Sequence, residues 1–386
     1  MNTSATAHSP GALEGVRVLD LSRVLAGPWS TQLLADYGAS VIKVERPAGG
    51  DDTRSWGPPW LQDRDEKETT DSAYFLSTNR NKRSITVDLG NADGAQVVRD
   101  LVRTCDVVVE NFRVGTLQRF GLDYDGLREL NPGLVYCSIS AYGQEGARAD
   151  QPGYDAMIQA SGGLMSITGA ADTEGGSPQK AGVAIADIMA GMYATTAILA
   201  ALVARKDTGE GQYIDIPLYD SQVAWLANQN MNFLVGGVTP GRMGTAHPNI
   251  GPYQTFATAD RHLALAVGND RQFQACMRCL GLGDIAGSPE FRDNAARVQN
   301  RDDLIALMAA EFRKREASVW LQEFAACGVP AGPINTIEDV FTEPYAQERE
   351  LVKHVSRVDA DDIPTVANPV RFSATPVSYR PVSYTH

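Results

Sequence analysis

One carboxylate stands out in this sequence of 386 residues. Asp187 lies in "KAGVAIADIMAGMYATTAILAALVARK" (Lys180–Lys206), where the only other charge between the flanking lysines is Arg205, near the end. An aspartate just ahead of an apolar helical run is what an N-cap looks like, worth about 1 kcal/mol. A carboxylate among small apolar neighbours (Ala184, Ala186, Ala190, Gly191) is also what a sheltered nucleophile looks like. The two uses are compatible. The other chemistry-bearing types are sparse. Cys276 and Cys279 form "CMRC", but a structural zinc site needs about four ligands. His8, His247, His262, His354 and His386 supply no matching spacing, so two helix-borne thiols are expected and no metal.

The elements that must position Asp187 alternate. "VRVLDLS" (Val16–Ser22), "SVIKVERP" (Ser40–Pro47), "DVVVENF" (Asp106–Phe112) and "LVYCSISAYG" (Leu134–Gly143) read as buried strands. "PWSTQLLADYG" and "ADGAQVVRDLVRTC" read as helices between them, the first with Pro28 in its opening turn and Gly38 at its end. Such βαβ alternation predicts an open parallel sheet covered by helices. The first turn, "SRVLAGPWS", lacks GxGxxG, although Glu45 stands near the place of a ribose-binding acid, and no P-loop motif occurs. After Gln229 the texture turns Gly- and Pro-rich, and "RDDLIALMAAEFRKREASVWLQEFAACG" reads as two amphipathic helices. Three parts are expected: a large domain over 1–224, a smaller α+β domain over 225–330, and a return segment over 331–386.

The net charge of −13 argues against nucleic acid or an anionic membrane as partner, without excluding a local basic pocket. Five cysteines, an odd number in a long chain, fit a reducing, cytoplasmic setting rather than a disulfide framework. "MNTSATAHSPGALEG" has no apolar core and no arginine, unlike a secretory or mitochondrial leader. Residues 181–204 are long enough for a membrane span, but a central Asp costs roughly 2.5–3.5 kcal/mol there, and a buried helix is the expectation.

Seven segments, in order, carry a resemblance: "LEGVRVLDLSRVLAGPWSTQLLADYGASVIKVERP", "GDDTR", "YFLSTNRNKRSITVDL", "VVVENFRVGTLQRFGL", "PGYDAMIQASGGLMSITG", "AGVAIADIMAGMYATTAILAAL" and "VPAGPINT". From Leu13 to Ser373 the chain resembles the family III CoA-transferases, the formyl-CoA and carnitine CoA-transferase group. The resemblance implies a Rossmann-like large domain, a smaller domain and an interlocked homodimer. It places the catalytic aspartate on Asp187. It implies coenzyme A contacts at Leu25, Ala26, Arg46, Asn111, Phe112, Arg113 and Arg119, with Tyr154 approaching the acyl group. CoA thioesters and carboxylic acids are then substrates, and no tightly bound cofactor is implied. "NRNKRS" (Asn79–Ser84) is expected mainly to hold a turn near the site.

One departure bears on the substrate. Formyl-CoA transferases carry Gln where Leu25 stands, and a glycine run where this chain has "GRMGTAHPNIGPYQTF". The pattern is more similar to the branch that moves CoA from succinyl-CoA to dicarboxylates such as glutarate. Arg242 and His247 are candidate donors for the far carboxylate. Two alternatives stay open. One is an α-methylacyl-CoA racemase-type isomerase, although the family's histidine position there is Tyr154, a poor base with its ordinary pKa near 10. The other is a CoA-binding protein without turnover, which would need no Asp187.

Overall fold

Runs of Val, Leu and Ile that are apolar at nearly every position make strands buried on both faces. The computed structural model describes Pro10–Tyr384, so His8 and His386 and the N-terminal nonapeptide lie outside the described residues. Within it, β1 (Arg17–Asp20), α1 (Ala26–Asp36) and β2 (Ser40–Glu45) form the first βαβ unit. A hairpin of β3 (Trp60–Gln62) and β4 (Glu68–Ser72) leads into α2 (Ala73–Asn79), capped by the Ser72 hydroxyl, and β5 (Lys82–Thr86). Then follow α3 (Ala92–Val102), β6 (Val107–Glu110), α4 (Tyr124–Arg128) and β7 (Val135–Ser140). Short helices α5 (Asp155–Ser161) and α6 (Leu164–Ile167) precede α7 (Ile185–Thr208), β8 (Tyr213–Pro217), α8 (Leu218–Trp225) and α9 (Asn228–Gly236).

The next elements are β9 (Tyr253–Ala257), β10 (His262–Ala266), α10 (Asp270–Cys279), α11 (Asn294–Gln299), α12 (Arg301–Phe312), α13 (Ala317–Cys327), β11 (Ala331–Pro333) and α14 (Ile337–Thr342). The chain ends with α15 (Pro344–Glu348), a hairpin of β12 (Val352–Val355) and β13 (Ile363–Val366), and β14 (Ser383–Tyr384). The main sheet runs β14-β5-β2-β1-β6-β7-β8, with every pair parallel. Leaving aside the two-residue β14, this is the 3-2-1-4-5-6 order of a Rossmann sheet. The order reverses between β1 and β6, which pair with Asp20 beside Val109.

Two apolar layers close the sheet. On one face α1 and α7 bring Ala26, Leu34, Ala190, Ala194 and Ile198 against Val18, Val107, Val135 and Ile139. On the other, α3 and α4 bring Val98, Val102 and Leu127 against Leu19, Val108 and Tyr136. Helix α7 is long and apolar enough to cross a membrane by composition alone, yet one of its faces packs here. A Cβ on Gly191 would stand 2.6 Å from the Ala26 carbonyl oxygen, so glycine lets α7 approach α1. Thr195 and Ser30 meet across that contact, their hydroxyl oxygens 3.0 Å apart.

The chain divides into two compact units, and their boundaries differ from those expected. The first comprises residues up to 164, 181–235 and 344 onward; the second comprises 165–180 and 236–343. Helices α8 and α9 stay with the first unit, which moves the start of the second from 225 to 236. β11 pairs antiparallel with β10, so "VPAGPIN" adds an edge strand to the second unit instead of leaving it. Residues 169–172 join the second unit because the Gly169 carbonyl accepts from Gly244 N–H at 2.9 Å and Asp172 pairs with Arg242. The core of this unit is aromatic: Phe256 stacks on Phe312 at 4.5 Å, beside Trp320 and Phe324.

Candidate active site

The site begins at the carboxyl end of β1, where the chain must turn sharply into α1. Val24 adopts a left-handed conformation, φ 69°, which costs a β-branched residue of order 1–3 kcal/mol. Polar side chains hold the turn. Asn111, just past β6, accepts from the Arg23 N–H at 2.8 Å and donates to the Arg23 carbonyl at 2.7 Å. Asp51 accepts from Val24 N–H at 3.3 Å. Beneath them, Lys43 Nζ donates to the Ser22 carbonyl at 2.9 Å and pairs with Asp51 at 2.8 Å. Lys82 pairs with Asp20 at 3.0 Å and donates to the Pro28 carbonyl at 2.9 Å. All four charges are buried. Burial alone would raise the Asp20 carboxyl, but Lys82 and Lys43 hold it at about 2. Burial pulls Lys82 down to about 8 against the pull of Asp20.

Asp187 is in the first turn of α7 and is not its N-cap; the cap is Ala184, without a side-chain bond. The helix starts three residues earlier than an N-cap role for Asp187 requires. Asp155 of α5 takes the donors instead: its Oδ1 accepts from Ala186 N–H at 2.8 Å and from Asp187 N–H at 3.3 Å. Its Oδ2 accepts from Gln159 Nε2 at 2.7 Å. Burial pushes the Asp187 carboxyl up to about 7, and the charge of Asp155 adds to the rise. The start of α7 therefore does not favour an ionised Asp187, because a second carboxylate already occupies those N–H groups.

Asp187 opens on a cleft of about 750 Å³. Leu25, Ala26, Asn111, Phe112, Arg113, Arg119 and Tyr154 line it too. These residues come from the turns after β1, β6 and β7 and the starts of α1, α5 and α7, so one fold gathers positions up to 162 residues apart (Leu25 to Asp187). Arg113 and Arg119 are exposed, and neither guanidinium has an ion-pair partner among the described residues. Tyr154 is 69% exposed and caps α5. Asn111 lines the cleft and also has a structural role, since both ends of its amide grip the Arg23 backbone.

Arg46 does not line this cleft. It lines two smaller cavities of about 210 and 640 Å³ and pairs at 2.6 Å with Asp52, a cleft residue. "NRNKRS" is only half a turn: Asn81 has φ 66°, and from Lys82 the segment is strand β5. Its Arg80 pairs with buried Asp36. Arg242 and His247 belong to the second unit. The Arg242 guanidinium is committed to Asp172 and the Ala170 carbonyl, and His247 Nδ1 accepts from Asn249 N–H at 3.1 Å. Cys276 is buried on α10, while Cys279 lies 2.9 Å from Cys327, sulfur to sulfur. Among the described residues no group of three or more His, Cys, Asp or Glu is arranged to hold a metal.

Sequence reasoning missed Arg23, Asp52 and Asp155 as site residues, and Tyr74 beside them. Burial and the charges of Asp187, Asp155 and Asp51 push the Tyr74 hydroxyl up to about 12, which places it in the field of Asp187. "RVLAG" and "GDDTR" offered Arg23 and Asp52 as visible charges, but nothing local assigns them to a cleft. Asp155 sits in "PGYDAM", one residue past Tyr154.

A Rossmann-order sheet with a cation-bearing cleft at its carboxyl ends, lined by the half-buried carboxylates of Asp52 and Asp187, has the form of an α/β ligand-binding site. Residues 13–383 match the model of CoA-transferase family III, and the chain belongs to that family: it is a CoA-transferase, with CoA thioesters as substrates. It is 50% identical to the succinate–glutarate CoA-transferase of Agrobacterium fabrum, covering 95% of this chain and 91% of that protein. It is 44% identical to the succinyl-CoA:glutarate CoA-transferase of Mus musculus, covering 94% of this chain and 80% of that one. A solved structure of a CaiB/BaiF family protein from Brucella suis superposes with a TM-score of 0.84 at 46% identity, over 97% and 96% of the two chains.

Proposed function

We propose that this enzyme moves CoA from succinyl-CoA to a dicarboxylate such as glutarate through an aspartyl-CoA thioester on Asp187. The observation that carries the reading is the position of Asp187: a sheltered carboxylate in a cleft also lined by Arg113 and Arg119, whose guanidiniums have no ion-pair partner among the described residues. The ionised carboxylate attacks the thioester carbonyl of the donor, the C–S bond breaks, and CoA thiolate leaves. The thiolate then attacks the aspartyl carbonyl of the mixed anhydride and expels the donor acid. The acceptor carboxylate attacks the aspartyl thioester, again releasing thiolate. The thiolate attacks the acceptor carbonyl, and Asp187 departs as carboxylate. Two easier steps replace one difficult one in each direction.

Developing oxyanions need donors. Asp155 has taken those of α7. The first-turn N–H of α1 at Ala26 has no intrahelical acceptor, and Ala26 lines the cleft beside Leu25. Arg113, Arg119, Arg46, Phe112 and the Leu25–Ala26 backbone are the proposed CoA contacts, with Asn111 holding the turn and Tyr154 toward the acyl end. Arg242 and His247 are the proposed donors for the far carboxylate. The names of the glutarate-acting relatives support the acceptor class. The enzyme is proposed to act in the cytoplasm as an interlocked homodimer. Met231, Phe233, Leu234 and Val235 of α9, and Met192 and Tyr193 of α7, are apolar and exposed in the single chain, as a second copy would require.

Incubation with succinyl-CoA, trapping with hydroxylamine or borohydride, and peptide mass spectrometry test the intermediate. A modified Asp187 peptide is expected; an unmodified one during continuing turnover rejects the mechanism. A coupled assay of acyl-CoA formation across C3 to C6 diacids tests the acceptor, with glutarate expected to give the highest kcat/KM.

A further inference from the structure

The cavities meet at one cation. Arg23 lines both the main cleft and the smaller apolar cavity of about 210 Å³, and Phe112 does the same. The Arg23 backbone is fixed by Asn111, so its side chain is aimed rather than free. Its guanidinium lies 5.2 Å from the Phe112 ring centroid and donates to Asp52 Oδ2 at 3.1 Å. The other oxygen of Asp52 takes Arg46 at 2.6 Å. One carboxylate is thus shared by two guanidiniums, which leaves a net positive charge between the cavities. The Arg23 Nε–H is buried and has no acceptor among the described residues. Two forks converging on one small anion, with a donor to spare, is the geometry that binds phosphate.

We infer that Arg23 is a phosphate-binding residue for CoA, and that Asp52 is an internal stand-in which a CoA phosphate displaces. This rests on the reading of the cleft as the CoA site. The phosphate brings up to two negative charges and three acceptor oxygens where Asp52 offers one charge and two. Asp52 keeps Arg23 and Arg46 from being left as adjacent unpaired cations in the empty site. It also competes with the ligand, which speeds CoA release.

Equilibrium titration of the full-length protein with CoA, dephospho-CoA and pantetheine tests this. Arg23→Ala is expected to weaken CoA binding roughly 10–100-fold, the loss of a charge-assisted hydrogen bond, and to raise the KM for acyl-CoA with kcat little changed. Arg23→Lys restores charge without the fork and is expected to recover only part of the affinity. Pantetheine, which lacks phosphate, is expected to bind wild type and Arg23→Ala alike. If the loss persists with dephospho-CoA, the phosphate is the diphosphate; if it vanishes, it is the 3′-phosphate; either supports the assignment. Asp52→Asn is expected to tighten CoA binding severalfold. An Arg23→Ala protein that binds CoA within twofold of wild type, or loses pantetheine affinity equally, overturns the role of Arg23. Unchanged or weaker CoA binding by Asp52→Asn overturns the role of Asp52. If wild type itself fails to bind CoA, the reading of the cleft falls, and the inference with it.

Discussion

The two units bury different things. In the second, the core is Phe256, Phe312, Trp320, Phe324 and aliphatic neighbours, and among the described residues Arg297 is its only buried charge. In the first, Asp20, Asp36, Lys43, Glu45, Asp51, Asp71, Arg80, Lys82, Glu110 and Asp155 are all buried. Apolar packing favours burial but does not specify one loop conformation. Charges in a low-dielectric interior are expensive unless each finds its partner, so they fix geometry. Those of the first unit reach backbone groups that no strand or helix satisfies: the Ser22 carbonyl and the Val24, Asp51, Ala186 and Asp187 N–H groups. The polar core is the support of a site made of turns.

Substitutions can break this contrast, beginning with the largest effect. Asp187→Ala is expected to lower exchange at least about 10³-fold while CoA affinity stays within about threefold, measured by coupled assay and titration; retained exchange would remove Asp187 from the chemistry. Asp20→Ala leaves Lys82 without its buried ion-pair partner and is expected to cost roughly 3–5 kcal/mol in denaturant unfolding and to weaken CoA binding. Phe312→Ala in the second unit is expected to cost a similar 3–5 kcal/mol or so, with CoA affinity unchanged. Equal effects of both on CoA binding would dissolve the contrast.

The pH profile sharpens it. With Asp187 near 7, kcat/KM is expected to fall as pH drops through about 7, because protonation removes the nucleophile. Asp155→Asn removes the neighbouring negative charge, so ionising Asp187 becomes easier and the limb should move to lower pH. A limb that stays in place would show that burial alone sets it. Asp20 behaves oppositely. Its carboxyl is held at about 2, below the usual value, so its ion pairs contribute fully above about pH 4 and are lost as pH falls through 2. The smallest expected effect is that of Asn111→Ala, roughly a tenfold rise in the KM for acyl-CoA from two lost hydrogen bonds to Arg23. Asn111→Asp keeps the acceptor for Arg23 N–H and should fall between.

The βαβ alternation, the helix pair now seen as α12 and α13, and the seven family segments with Asp187 among them could all be read from the chain itself. Apolar period and turn residues are local properties, and a motif is a string of neighbours. Tertiary structure alone decided that Lys82 belongs to a buried strand, that "VPAGPIN" pairs with β10, that Asp155 accepts from the first-turn N–H groups of α7, and that Arg23 and Arg46 share Asp52. Each of these depends on distances between residues far apart in sequence. Coulomb attraction, desolvation and hydrogen bonding change over a few ångströms, and only the fold fixes those distances.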